Sequence, residues 1–249
     1  MFRAFLKNSH FLVALVKAFR LLPTDARRLK WRFARGRLLH TYLTAHSLRK
    51  LHVGAGTNLL EGWLNADFHP RNPQVAYLDA TKPFPFADGT FAYVFSEHMI
   101  EHLDFNAGSF FLRECRRVLK PGCKIRIATP DLRIIAGLCA SSPSAPQLGY
   151  IKSATDLFMA DFIPKFNPQK YGQRGAFVLN MFFWHHGHYF AYDFETLELA
   201  LKEAGFVEIT RREPGKSADA QLAGIESHGK QVGDVMNNFE TLVVEAVRP

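Results

Sequence analysis

The feature that most constrains the fold of this 249-residue chain is a short apolar run that ends in a glycine turn, Leu51–Gly56. A second apolar run then leads to an acidic residue, Asp67, placed eleven residues after Gly56. Glycines allow the backbone to pass close to a ligand where a Cβ atom would collide. A carboxylate at the end of the next strand can bind the two hydroxyls of a ribose. Together they predict a nucleoside-containing ligand at the carboxyl ends of the strands.

Apolar runs and helical patterns alternate along the chain and predict an α/β fold. The spacing of Phe111, Cys115 and Val118 predicts one helix, and another follows Asp193, a good N-cap residue. Several strand-like runs are apolar throughout, as strands covered on both faces are. We therefore predict a Rossmann-like, seven-stranded, mostly parallel sheet with helices on both faces. The strand-like runs lie at about 50–53, 63–66, 75–78, 91–96, 123–128, 206–210 and 241–247.

The positive charge of the chain is concentrated at its amino terminus. Residues 1–50 carry twelve Lys or Arg residues and one acidic residue, whereas the remainder is slightly acidic. We predict a basic amphipathic helical extension over residues 1–48 and a main domain over residues 49–249 that does not bind nucleic acid. Such an extension can lie on an anionic membrane surface, through residues 1–35, or pack on the main domain with its charges in solvent. The sequence leaves both arrangements open.

Cysteine content and hydropathy indicate the compartment. Three cysteines without metal or disulfide spacing fit a reducing environment. The longest apolar run of the amino-terminal segment, residues 11–16, is too short to span a bilayer. We predict a cytoplasmic protein, with peripheral contact to the inner face of a membrane as the candidate role of the extension.

Residues 131–192 interrupt the alternation of strands and helices. The part from Tyr150 to Tyr192 contains twelve aromatic residues. A segment between two strands of such a sheet is placed to cover its ligand end. We predict an aromatic cap, and the sequence leaves open whether its rings contact a substrate or form the core of the cap.

The turn after the first strand differs from a dinucleotide-binding motif. Only about six residues separate Gly56 from the next apolar run, too few for the helix whose N-terminus usually binds a pyrophosphate. This disfavours NAD and favours a cofactor without phosphates. Asp67 and Asp79 each end a strand, so one carboxylate can bind ribose hydroxyls and the other the exocyclic amine of adenine. Either can also be an ordinary turn residue.

The block from Pro83 to Leu103 completes a resemblance to the class I S-adenosylmethionine-dependent methyltransferases, in particular to a bacterial type-11-like branch. The glycine turn, the first two acidic strand ends and the helix that stops at Lys120–Gly122 have the order and spacing of that family. The resemblance covers roughly residues 50–248. It implies methyl transfer from S-adenosylmethionine to a small-molecule, saccharide or glycolipid acceptor, for which we predict an oxygen atom.

The resemblance also implies which residues bind the cofactor. His52 departs from the family pattern, which has an acidic residue two positions before the first glycine. The implied set is Gly54, Ala55 and Gly56 around the methionine part, Asp67 at the ribose, Asp79 and Ala80 at the adenine, and Ser96, Glu97 and His98 on the sulfonium side.

Histidines are the candidates for the acceptor side. A neutral imidazole can take a proton from a hydroxyl, and His98 and His102 are the candidate bases, although either can instead hydrogen-bond a loop. In the cap, we predict acceptor binding by His185, His188 and Tyr192.

Two patterns also suggest metal binding. His98, Glu101 and His102 fit the HxxEH motif of zinc peptidases, which requires both histidines on one face of a helix, and no long helix is evident there. The cluster 185–188 has three histidines but no Cys or carboxylate at ligand spacing. We predict no metal.

Two other functions stay open at this point. The first is a NAD-dependent enzyme that modifies a nucleotide sugar. The second is a non-catalytic protein with the methyltransferase fold that docks at a membrane as a partner subunit.

Overall fold

The computed structural model describes residue 31 and residues 34–249. Most of the predicted basic extension, and with it the candidate membrane contact over residues 1–35, lies outside the described residues. A helix over residues 34–45, α1, leads to the first strand. None of the described helices has the length and apolar composition needed to cross a membrane.

In the described residues, seven strands form one sheet with the order β3-β2-β1-β4-β5-β7-β6. Strands β1 to β5 run parallel to one another, and β7 runs antiparallel to both β5 and β6. This confirms the predicted seven-stranded, mostly parallel sheet. The strands are β1 Lys50–Val53, β2 Leu64–Asp67, β3 Ala76–Tyr77, β4 Phe91–Glu97, β5 Leu119–Pro130, β6 Val207–Arg212 and β7 Thr241–Val247.

Both helices that the sequence predicts with a clear boundary are present, each with an aspartate cap. Asp104 accepts from the backbone N of Ala107 before α2, and Asp193 accepts from the backbone N of Thr196 before α7. The helices after α1 are α2 Phe105–Val118, α3 Leu132–Gly137, α4 Ala145–Phe162, α5 Pro168–Tyr171, α6 Gly175–Trp184, α7 Phe194–Glu203, α8 Gly229–Val232 and α9 Asp234–Glu240, with a 3-10 turn at Ile100–His102.

The main hydrophobic core lies between one face of the sheet and the helices α1, α2 and α7. Phe111, Cys115 and Val118 of α2 are fully buried there, as their spacing predicts. On the opposite face, Leu222 from the connection between β6 and β7 packs against Trp63 and Phe95.

The cap has a hydrophobic core of its own. Helices α3, α4 and α6 bring together Ile135, Ile151, Val178 and Met181, all buried. Met236 from α9 joins this cluster. The connection between β6 and β7, residues 213–240, therefore packs on the cap, so the two segments together cover the carboxyl ends of the central strands.

Candidate active site

The carboxyl ends of β1 and β4 lie side by side at the point where the order of the strands reverses. Ligands bind at such a point in open α/β sheets. A cavity of about 320 Å³ opens here, between the turn after β1, the end of β4, cap helices α4 and α6, and the connection from β6 to β7. Four separate segments of the chain therefore contribute to its wall.

The glycine turn lines one end of this cavity. The backbone N–H groups of Gly54 and Ala55 both donate to the carbonyl oxygen of Ala66, at 2.9 and 3.0 Å. Gly54 has a φ of 79°, and a Cβ atom there would lie 2.6 Å from the side chain of Met99. The N–H of Gly56 donates to Asp67 Oδ2 at 2.9 Å. The structure thus brings Asp67 and the glycine turn together. Asp67 Oδ1 also accepts from the backbone N of His69 at 2.6 Å, and Asp67 is not among the residues that line the cavity, so its contact with a ribose stays a prediction.

Asp79 and Ala80 lie one strand further from the cavity. The carboxylate of Asp79 accepts from the backbone N and the hydroxyl of Thr81, at 3.0 and 2.7 Å, which is a local turn interaction. Asp79 lines a separate surface pocket together with Lys82. Ala80 is buried in the main core. Their placement at an adenine stays a prediction.

Two buried polar atoms in this region, His52 Nε2 and Ser96 Oγ, have no hydrogen-bond partner within the described part of the chain. His52 Nδ1 lies 3.2 Å from Asn65 Oδ1, which also accepts from the backbone N of Leu60. Because Asn65 Nδ2 donates to the carbonyl of Leu60, the amide orientation is fixed and the imidazole proton belongs on Nδ1. Burial lowers the pKa of His52 to about 4. The neutral ring therefore presents Nε2 as an acceptor.

An acceptor at this position fits the cofactor that the sequence predicts. His52 lines the cavity beside Gly54, where most of the superfamily has an acidic residue. A bare imidazole nitrogen can accept a hydrogen bond from the α-ammonium of a bound amino acid group. Ser96 is buried and is not among the residues that line the cavity, so its contact with the cofactor stays a prediction. The residues present thus fit the methionine end of S-adenosylmethionine.

Glu97 has a different role from the one predicted. Its carboxylate accepts from the backbone N of Ser227 at 2.8 Å, from the backbone N of His228 at 2.9 Å and from the Ser227 hydroxyl at 3.2 Å. Both oxygens are therefore used to hold the connection between β6 and β7. Glu97 still lines the cavity, but its carboxylate positions a protein segment rather than standing free for the cofactor.

His98 lies at the end of β4 with a left-handed backbone, φ 45°, which is uncommon for a residue with a side chain. Its Nδ1 lies 3.4 Å from Oε1 of Glu101. Burial alone would lower the pKa of His98, but the contact with Glu101 and its charge raise it overall. Burial would raise the pKa of Glu101, and His98 holds it below the usual value. The left-handed residue ends the strand, so the HxxEH helix of zinc peptidases does not form.

The sequence analysis missed a second histidine in the cavity, His228. Its ring stacks on His98, and its Nε2 lies 3.2 Å from Oε1 of Glu240. Glu240 also accepts from the hydroxyl of Tyr150, and all of these residues line the cavity. The only signal in the sequence was the length of the connection, about 30 residues between two strands, because connections of that length without a role are uncommon.

Of four residues predicted on the acceptor side, two line the cavity and two do not. His188 lines the cavity, and burial lowers its pKa to about 4. His102 also lines it and is exposed. His185 is exposed and lies outside the cavity, where His186 lines the wall instead. Tyr192 is fully buried in the main core, so the prediction that it binds the acceptor is wrong.

The backbone explains the position of Tyr192. Tyr192 forms a β-bridge with Asp131, and its carbonyl accepts from the backbone N of Leu132 at 2.9 Å. This contact fixes the residue at the edge of β5, directly before α7. The side chain of Tyr192 then lies against Gly108 of α2. A Cβ atom added at Gly108 would lie only 2.5 Å from the tyrosine hydroxyl.

Comparison with known families agrees with this geometry. Residues 51–127 match a family model whose description is "Methyltransferase domain". This segment, less than half of the chain, is similar to methyltransferase domains. It contains the glycine turn, Asp67 and the end of β4. The match supports the predicted methyltransferase for this segment of the chain. No curated protein matches the chain.

Several solved structures are similar in architecture. A SAM-dependent methyltransferase from Archaeoglobus fulgidus has 16% identity and a TM-score of 0.48, covering 87% of this chain and 94% of that one. An S-adenosylmethionine-dependent methyltransferase from Mesorhizobium loti has 16% identity and a TM-score of 0.46, covering 83% and 95%. A Haemonchus contortus phosphoethanolamine N-methyltransferase 2 has 15% identity and a TM-score of 0.42, covering 81% of this chain. The chain spans about half the length of that last protein, 49%.

Proposed function

We propose that this protein transfers a methyl group from S-adenosylmethionine to a hydroxyl oxygen of a saccharide or glycolipid acceptor held under the cap. One observation carries the proposal. One cavity is lined by the glycine turn and His52 and also by histidines that follow β4 or belong to the cap and to the connection between β6 and β7. We assign the first group to a cofactor end of the cavity and the histidines to an acceptor end, where they can bind and deprotonate a hydroxyl.

The cofactor end is built for binding and orientation. S-adenosylmethionine supplies an activated methyl group on its sulfonium. The main chain of Gly54–Gly56 lines the cavity and allows close approach of the ligand, and His52 offers an acceptor for the ammonium. Asp67, which contacts the backbone N of Gly56, is the residue that we propose binds the ribose hydroxyls. Holding two reactants in line is worth about 7–11 kcal/mol of the barrier, so positioning is the main task of this protein.

The acceptor end contains the groups that an oxygen nucleophile needs. A hydroxyl must lose its proton as it attacks, and an imidazole can take it. His98 and His228 line the cavity and contact the carboxylates of Glu101 and Glu240, which orient the two rings. A positioned base of this kind contributes about 10²–10⁴-fold to the rate.

The cap supports a sugar or glycolipid as acceptor. Phe158 and Phe182 line the cavity with apolar surface, while Gln231 adds a polar group. Trp184 and Tyr189 are exposed by 78% and 75% and flank, in the chain, the histidines that reach the cavity. Exposed aromatic rings can stack on sugar faces, and their mixed polarity suits the headgroup level of a membrane.

Calorimetry with S-adenosylhomocysteine tests the cofactor end. We expect micromolar binding, weakened about tenfold or more by Asp67→Asn, because a hydrogen bond to a charged group contributes about 1.5–3 kcal/mol. Glu61→Gln is the matched control, since it removes an exposed acidic residue that belongs to the connection preceding β2 and that does not line the cavity. Equal affinity of the Asp67 variant and the wild type would reject Asp67 as a ligand of the cofactor.

The same measurement with NADH separates the NAD alternative. Residues 54–63 connect β1 to β2 without a helix, so no helix N-terminus is present to bind a pyrophosphate there. We expect no NADH binding. Tight NADH binding with no affinity for S-adenosylhomocysteine would replace the proposed function by the NAD-dependent one.

Acceptor identity requires a comparison of extracted glycans and lipids with and without the gene. We expect a species heavier by the mass of one CH₂ unit only when the gene is present. If S-adenosylhomocysteine binds but no methylated species forms, the partner-subunit alternative gains support.

Sedimentation with anionic liposomes, comparing the wild type with Lys17→Glu/Arg20→Glu, tests the peripheral membrane contact. We expect this contact to weaken with the loss of positive charge.

A further inference from the structure

The geometry points to a binding site for a divalent transition-metal ion, formed by Glu101, His102 and His188 on the acceptor side of the cavity. One ligand atom from each of the three residues lies within 4.8 Å of the other two. All three residues line the cavity. Two imidazoles and one carboxylate are a ligand set of catalytic zinc sites, which keep a further position open for water or substrate.

The backbone holds the two halves of this site together. The N–H groups of Tyr189 and Phe190 both donate to the carbonyl oxygen of Glu101, at 2.8 and 3.2 Å. These bonds attach the cap loop to the 3-10 turn at Ile100–His102. His188 therefore lies beside Glu101 and His102 because of main-chain contacts, not through a chance approach of long side chains.

His102 has the hydrogen bond expected of a metal ligand. Its Nδ1 lies 3.2 Å from the carbonyl oxygen of Gly187. A carbonyl can only accept, so the ring proton belongs on Nδ1 and Nε2 is left with its lone pair. Histidines that bind metals commonly donate their other N–H to a backbone carbonyl or a carboxylate in this way.

The other two residues supply buried atoms with unused capacity for a ligand. Glu101 is fully buried, its Oε2 accepts from the Thr129 hydroxyl at 3.0 Å, and its Oε1 has only the His98 contact at 3.4 Å. His188 Nδ1 is buried and has no hydrogen-bond partner among the described residues. Because leaving a buried polar atom unpaired is destabilising, a cation bound by both atoms would pair His188 Nδ1 and add a second positive contact to Glu101.

Small side-chain rotations would bring the three ligand atoms to the distances found around a bound metal ion. Bonds of about 2.0–2.2 Å in tetrahedral geometry place ligand atoms roughly 3.4 Å apart. Rotations that move each atom by about an ångström or less would reach this arrangement from the present one. The open position would face the cavity, where the ion could bind the acceptor oxygen and ease loss of its proton. That role rests on the proposed function, whereas the existence of the site does not.

The ligand set also predicts which ions bind. Imidazole nitrogen suits zinc, cobalt, nickel and iron, whereas magnesium prefers an all-oxygen environment. We therefore expect Zn²⁺ and Co²⁺ to bind the full chain and Mg²⁺ to bind much more weakly. Co²⁺ held by imidazole and carboxylate groups gives visible d–d absorption, a readout that does not depend on activity.

The test is a titration of the full chain, previously stripped with a chelator, with Zn²⁺ by calorimetry and with Co²⁺ by visible absorption. We expect one ion per chain, and at least tenfold weaker binding in His102→Gln and in Glu101→Gln, because each loses a ligand. The exposed position of His102 makes loss of folding in that variant unexpected. His185→Gln is the control, because this nearby exposed histidine lies outside the cavity.

Three outcomes would overturn the inference. They are no binding of either ion by the wild type, unchanged binding in His102→Gln, and loss of binding in His185→Gln, which would place the ion at surface histidines. S-adenosylhomocysteine binding, measured on the same stripped samples, separates the two proposals. If it persists while metal binding fails, only the metal site is rejected; if it fails while metal binding persists, the proposed function is rejected and the site stands.

Discussion

The imidazole rings of His98 and His228 stack with their centroids 3.7 Å apart and their planes inclined by 27°. One ring follows β4 and the other belongs to the connection between β6 and β7, yet each contacts its own carboxylate, Glu101 or Glu240. Two positive charges at this separation would repel each other. We therefore expect at least one neutral ring in the pair, available to accept a proton from a bound hydroxyl.

A variant that keeps the stack but removes the nitrogen atoms tests this pair. In His228→Phe, we expect kcat for methyl transfer to fall about 100-fold, the lower range for loss of a positioned base. The affinity for S-adenosylhomocysteine should not change. The matched control is His46→Phe, which alters another stacked histidine, on Tyr42, that is not among the residues lining the cavity. Full kcat in His228→Phe would show that this imidazole takes no part in the reaction.

His52 offers a second prediction, at the cofactor end. His52→Phe keeps an aromatic ring against Phe95, 4.9 Å away in the wild type, but removes the free acceptor nitrogen. We expect about tenfold weaker binding of S-adenosylhomocysteine, which carries the amino acid group. Methylthioadenosine lacks that group and serves as the control ligand, so its affinity should be unchanged. Equal losses for both ligands would indicate a general distortion of the turn.

The sheet and its ligand edge could be predicted because the signals are local. The first strand was expected over residues 50–53 and is formed by Lys50–Val53. The contact between Gly56 and Asp67 follows from a turn and a strand that are neighbours in sequence. Each of these features depends on residues within about a dozen positions of one another.

The rest of the site depends on contacts between distant parts of the chain. Ser227 and His228 reach the cavity because Glu97, about 130 positions earlier, binds their backbone N–H groups. An aromatic residue such as Tyr192 has the same local signal whether it lines a cavity or fills a core. The spacing of His98 and His102 fits a zinc-peptidase motif that requires a helix, no long helix was evident there, and a left-handed residue at the strand end leads into a 3-10 turn.

The ion pair of Glu114 and Arg117 predicts a pH dependence of stability. The carboxylate of Glu114 accepts from the Arg117 guanidinium at 2.8 Å and from the backbone N of Phe84 at 2.6 Å. The hydrogen bond from Arg117 holds the pKa of Glu114 below its usual value of 4.5. Because the pKa is lower in the folded state, this stabilisation is complete above about pH 4.5 and is lost as the pH falls through the folded pKa.

We therefore expect Glu114→Gln to lower the free energy of unfolding by about 1.5–3 kcal/mol at pH 7. The difference in Tm between this variant and the wild type should shrink steadily below pH 4.5. Glu213→Gln is the control, since the partner of Glu213, Lys216, is also exposed and this change should not shift Tm measurably. A difference that stays constant down to pH 3 would mean that the ionised form of Glu114 is not what stabilises the fold.

The last prediction concerns Arg126, which is fully buried beneath the active site. Its guanidinium donates to Glu226 and to Glu245, each at 2.6 Å, and to the carbonyl of Lys216 at 3.0 Å. It thus ties β5 and β7 to the connection that carries His228. Arg126→Met leaves Glu226 buried without a cation and Glu245 with Arg212 alone, so we expect a loss of about 3–5 kcal/mol in the free energy of unfolding.

A double variant separates the loss of the cation from the loss of packing. Burial already raises the pKa of Glu226, and removing Arg126 leaves this carboxylate without its main counter-charge. Arg126→Met/Glu226→Gln should therefore recover part of the stability that Arg126→Met loses. Arg133→Met, at an exposed ion pair, should change stability by less than about 1 kcal/mol. If the double variant is less stable than Arg126→Met, the uncompensated charge on Glu226 is not the cause, and the hydrogen bonds of its carboxylate matter more than its ionisation.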